Sequence, residues 1–218
     1  MRWDDELFEV LADRDSSYFK EYLQLIKSKI DEHQKTLKEI EKNILEQSKS
    51  RDEKTGYEYD PNEYLADIGY EQYELEQVMY KSFVVSVFIS MEALAADICQ
   101  RLQRNRQEIF GYKDMPRSGI DRSIKYLKKL LDKHPIADED LRKRFDVARK
   151  IRNALVHADG VIKKEDIPNI EEFIKQHPEV LTVESLRRIS LTHAYAESLI
   201  SLYDEFTTAL QELLYSVK

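Results

Sequence analysis

FVVSVFISMEALAADICQRL, residues 83–102, decides the fold class. Val84, Val87, Phe88, Met91, Ala95, Ile98 and Leu102 recur in steps of three or four, with Val87 and Phe88 adjacent. At 100° per residue they fall within a sector of about 100°. That is the buried stripe of a core helix. Glu92 lies about 80° from Val84, on the flank of the stripe. The nearly apolar part, Phe83 to Met91, is too short to span a bilayer, which needs about 20 residues.

The same period runs outward in both directions. Toward the N-terminus, Leu7, Val10 and Leu11 suggest a short first helix. Asp15-Ser16-Ser17 then reads as a cap for a second, which runs from Tyr18 through Leu25, Ile30, Leu37 and Ile44 to about Gln47. Residues 48–62 are polar, contain Gly56 and Pro61, and read as a loop, with Pro61 starting the next helix. Between Thr55 and Tyr80 the chain carries acids and tyrosines but no Lys or Arg. That stretch reads first as a solvated acidic face.

Toward the C-terminus, Gly111, Pro116 and Gly119 mark a break. Ile120, Ile124, Leu127 and Leu131 form a shorter helix ended by His134-Pro135. Asp138 to Ala158 is the next helix, stopped by Asp159-Gly160 as a left-handed cap. Residues 161–189 read as a connection with a short helix near Ile170–Lys175. Ile189 to Val217 closes the chain as a long amphipathic helix.

The composition agrees. Five Gly and five Pro in 218 residues leave little turn punctuation for sandwiches, barrels or propellers. The expected fold class is all-α. A net charge of −8 argues against coating duplex nucleic acid over a broad surface. The single Cys99 excludes an internal disulfide framework and any multi-cysteine zinc site. The N-terminal residues contain no secretory h-region, so a cytoplasmic location without membrane attachment is expected.

Positive charge gathers on one helix. Arg142, Lys143, Arg144, Arg149, Lys150 and Arg152 accompany one acid, Asp146, in eleven residues. This is where a phosphate would be drawn. Leu141, Phe145, Ala148, Ile151 and Leu155 are the apolar stripe of that helix, and Arg152 falls inside it. A core-facing guanidinium needs a partner, because an unpaired buried charge costs several kcal/mol. Glu92 is the candidate. Asn153 and His157, four apart, share a different face.

Arg152-Asn153-Ala154-Leu155-Val156-His157 resembles the Arg-x4-6-His signature of the HEPN superfamily, including the Asn that often follows the Arg. The order around it is also similar. An apolar helix carrying an acid at Glu92 precedes it, and a long final helix follows. The resemblance covers roughly residues 80–216.

It implies a four- or five-helix up-and-down helical bundle over residues 61–218, with residues 1–60 as an N-terminal helical extension, that forms a homodimer with two motifs meeting across the twofold axis. It further implies a metal-independent endoribonuclease that uses no cofactor. RNA is then cleaved through attack of the 2′-OH, in a toxin, defence or stress role. His157 would transfer protons, Arg152 would stabilise phosphorane charge, and Asn153 would orient His157 or bind the phosphate. Arg149 and Lys150 would hold substrate, with Glu92 behind Arg152.

An antitoxin or other regulatory protein is an implied partner. Some family toxins carry a Tyr two residues after the His, where it is adenylylated; Asp159 stands there and disfavours that route. Arg152 and His157 are five apart, about 140° around a helix. Three arrangements follow: the helix loosens near Gly160, Arg152 meets His157 of a second subunit, or Arg152 folds onto Glu92. The last favours the alternative function, a catalytically inactive module binding nucleotide, RNA or a protein.

Overall fold

The computed structural model describes residues 3–55, 61–106, 110–132, 134–178, 181–183 and 187–216. They form an all-α helical bundle: α1 (Trp3–Thr55), α2 (Asn62–Arg106), α3 (Gly119–Leu131), α4 (Glu139–Ala158), α5 (Ile167–Gln176) and α6 (His193–Ser216). Two short strands, β1 (Leu181–Val183) and β2 (Ile189–Leu191), pair antiparallel. α2 is the central helix. Its predicted stripe is buried throughout and packs against α1, α3, α4 and α6. Cross-helix contacts set the directions. Gln34–Glu76 and Tyr22–Ser82 make α1 antiparallel to α2. Arg152–Glu92 and Lys81–Asp159 do the same for α4. α6 runs parallel to α2, joined through Gln77–Leu191 and Ser90–Tyr203.

α1 differs from the sequence expectation in two places. Asp15-Ser16-Ser17 does not start a helix; it lies inside one. The carboxylate of Asp15 accepts bonds from the hydroxyls of Ser90 on α2 (2.5 Å) and Tyr203 on α6 (3.5 Å), and Ser16 is buried. Side chains suited to capping are used here for contacts between helices, so the backbone continues unbroken. The helix also runs to Thr55, past the expected end near Gln47. Residues 48–55 are polar but contain no Gly or Pro, and polarity alone does not stop a helix. Gly56 to Asp60, the rest of the expected loop, lie outside the described residues apart from Pro61 and Asn62. Pro61 accepts the Leu65 N–H at 3.1 Å, opening α2. α1 is not set apart from the rest: Phe19, Leu23, Ile26 and Ile30 belong to the same core as α2 and α6.

The other difference is at the end of the connection. Ile189–Leu191, expected as the start of the last helix, is a strand. The buried Gln77 side chain receives the Leu191 N–H (2.8 Å) and donates to its carbonyl (3.0 Å), which serves Leu191 as a strand neighbour would. α6 then begins at His193, with Thr192 Oγ1 accepting the Tyr195 N–H at 3.2 Å. α3 ends at Leu131, ahead of His134-Pro135, with Asp132 in the left-handed region. Near the base of the bundle Phe145 and Phe206 stack at 5.1 Å, joining α4 to α6.

α2 is long and apolar enough to cross a membrane by length and composition. In this bundle its apolar face is the centre of the core, where Phe83, Val84, Val87 and Phe88 are fully covered. Cys99 is buried on the same helix, and burial pushes its thiol up to about 12. Since the thiolate is the reactive form, a thiol reagent near pH 8 is expected to leave the native protein unlabelled and to modify Cys99 after denaturation. Rapid native-state labelling would contradict this packing.

Candidate functional site

α4 is built as the sequence implies. The Asp138 side chain accepts the Leu141 N–H at 2.7 Å and caps the helix. Leu141, Phe145, Ala148, Ile151 and Leu155 are buried. The helix stays regular through Ala158, then stops with Asp159 and Gly160 both at positive φ. The N–H of Gly160 returns to the Ala154 carbonyl at 3.0 Å.

A cleft of about 730 Å³ opens beside this helix, between α2, the start of α3 and the segment after Gly160. Glu92, Arg149, Lys150, Arg152, Asn153 and His157 all border it. Arg152 Nη2 donates to Glu92 Oε1 at 3.2 Å, and Nη1 donates to Asn153 Oδ1 at 3.1 Å. Arg152 Nε is buried and makes no hydrogen bond. The third arrangement is therefore the observed one: the guanidinium folds onto Glu92, and the helix does not loosen before Ala158. His157 is exposed at the rim. Among the described residues nothing bonds its ring.

Glu92 is seated against the first residue of α3. Gly119 has φ +58°, and a Cβ there would lie 2.7 Å from Glu92 Oε1. The carboxylate thus occupies the volume that a side chain would take. Gly119→Ala is expected to cost about 1–2 kcal/mol from the left-handed backbone alone, and to push Glu92 off Arg152. A urea melt checks this; an unchanged midpoint would show that the seat is not tight.

The concentrated cationic patch expected on α4 is not present as a bare patch. Lys143 pairs with Glu139 (3.2 Å), Arg149 with Asp121 (2.8 Å) and Lys150 with Asp166 (3.3 Å). Arg144 is held by Asp140 and by both carboxylate oxygens of Glu205. Of the six cations only Arg142 has no ion partner among the described residues. Most of these acids come from other elements, where α4 alone gives no sign of them. Sequence reasoning also missed Lys163, exposed on the cleft wall and without an ion partner among the described residues. It lies in a segment read only as connection.

Asp159 is also occupied. Its carboxylate pairs with Lys81 (3.2 Å) and Arg188, and these cations, Lys81 above all, hold it below the usual carboxylate range. Arg188 stands beside β2, and the Ile189 N–H reaches the Gly160 carbonyl at 3.0 Å. The end of α4 is thereby tied to α2 and to the hairpin. Among the described residues no group of three or more His, Cys, Asp or Glu is gathered to hold a metal ion. Scans against protein-family models, curated proteins and solved structures find no match for the chain.

Proposed function

We propose that the chain is a metal-independent endoribonuclease of the HEPN type, acting in a toxin, defence or stress role. The observation that carries the reading is the convergence of Arg149, Lys150, Arg152, Asn153 and His157 on one open cleft. Lys163 adds a cation on the far wall. In the proposed reaction the ribose 2′-oxygen attacks phosphorus and its proton passes to the imidazole of His157. The P–O5′ bond breaks, and the leaving oxygen takes a proton from a second acid. The products are a 2′,3′-cyclic phosphate and a 5′-OH. Arg152 would offer its remaining N–H groups to the charge on the equatorial oxygens. A second copy of the chain would bring a second His157, giving the site both a base and an acid.

One observation favours a second reading, an inactive module that binds nucleotide, RNA or protein. Arg152 already spends two donors on Glu92 and Asn153. A phosphate must compete with that carboxylate. The test is cleavage of labelled RNA in excess chelator, with end-group analysis of the products. Cyclic phosphate ends that depend on His157 support the nuclease. Binding without cleavage over a range of RNAs replaces it with the second reading.

A further inference from the structure

A second, smaller cleft of about 270 Å³ lies between α3 and the first half of α4. Arg149 and Asp121, paired at 2.8 Å, line both this cleft and the larger one, so the two adjoin across that ion pair. Four cations border it: Arg117, Lys125, Lys128 and Arg149. Its two acids are already engaged, Asp121 by Arg117 and Arg149, and Asp146 by Arg149. Lys125 and Lys128 are exposed and have no ion partner among the described residues. On a chain of net charge −8 this is uncompensated positive charge at the edge of the candidate site.

The geometry is that of a track. Arg117, Asp121, Lys125 and Lys128 follow one another at steps of four, four and three, along one face of α3 and the turn before it. At 1.5 Å per residue the part of the row on α3, Asp121 to Lys128, is about 11 Å long. It also has an end. His134 borders both this cleft and the next, whose walls carry five acids, Asp138, Asp140, Asp204, Glu205 and Glu212, against one cation, Arg144, which engages Asp140 and Glu205. Burial, with Arg142 and Lys128 nearby, holds the His134 imidazole below its ordinary range. It stands there as a neutral wall, and the acids beyond would repel a phosphate.

We propose that the α3 groove is a backbone-binding extension of the site, with Lys125 and Lys128 each taking a phosphate of a single RNA strand that leaves the larger cleft past Arg149. This rests on the RNA reading above. It adds that the strand exits in one direction and that its contacts stop at His134. A single strand fits one row of cations, interrupted only by the paired Asp121, that ends at an acidic wall.

The test is binding of 2′-O-methyl RNA, which lacks the nucleophile, as a labelled dinucleotide and a labelled dodecanucleotide over a salt series. Wild type is compared with Lys125→Gln/Lys128→Gln. Lys143→Gln, which removes an exposed and already paired cation of α4, is the charge control. For the dodecanucleotide, the double variant is expected to flatten the slope of log affinity against log salt by about 1.4, or 0.7 for each phosphate contact. The dinucleotide and the Lys143→Gln protein should be unaffected. An unchanged slope, an equal loss for the dinucleotide, or an equal loss in Lys143→Gln overturns the extension and leaves the RNA reading standing. Wild type that binds neither oligonucleotide overturns the RNA reading, and the extension with it.

Discussion

RNA cleavage by a His157→Ala protein is expected to fall by about a thousandfold, within the 10²–10⁴ range of general acid–base catalysis, while its stability stays within about 0.5 kcal/mol of wild type. The two halves of that expectation have different origins. The imidazole is exposed, and no described residue bonds it, so the folded state loses little when it is removed. The chemistry loses the only histidine bordering the cleft. RNA affinity should persist, because the cations are untouched. A His157→Ala protein that cleaves at the wild-type rate would remove His157 from the proposed reaction. One that melts much earlier would show the imidazole to be structural.

Glu92→Ala should behave in the opposite way. Arg152 and Glu92 are mostly covered, with side chains 19% and 25% exposed. Removing the carboxylate strands a guanidinium that already has one unpartnered buried nitrogen. A charge-assisted hydrogen bond contributes about 1.5–3 kcal/mol, and breaking a fully buried pair costs 3–5 kcal/mol. Partial exposure places the expected loss near 2–3 kcal/mol, on the order of 5–10 °C in Tm. Glu92→Gln keeps an acceptor oxygen and should lose roughly half as much, since charge-assisted bonds are about twice as strong as neutral ones. Calorimetry of the two variants decides. No shift in either would mean that the pair carries little of the structure, and that Arg152 is free to serve a ligand. A large shift means that Arg152 has a structural task beside any catalytic one.

That pair was legible in the sequence for a simple reason. Helical angles place Arg152 within the apolar stripe of α4 and Glu92 on the flank of the stripe of α2, and an inward-facing cation must be neutralised. Asn153 and His157 were legible by the same angles, as residues on another face. The neutralisation of the other cations was not. Asp121, Asp166 and Glu205 lie 28, 16 and 61 residues from their partners on α4. Periodicity describes one helix at a time and says nothing of what stands opposite. The lysines of α3 that have no ion partner among the described residues are hidden for the converse reason: they are a modest cluster in sequence, and stand out only once the denser one is cancelled.

By itself the sequence determined the helical class, the buried stripes of α2 and α4, the start of α4 near Asp138 and its stop at Asp159-Gly160. These are local properties, fixed by a period of 3.6 residues and by the few backbone shapes that end a helix. The tertiary structure alone decided that Asp15 and Ser16 lie inside a continuous helix, that Ile189–Leu191 extends along Gln77, and which charges remain free. Each of those outcomes depends on a partner distant in the chain. A polar side chain serves whichever neighbour the fold brings within hydrogen-bonding reach.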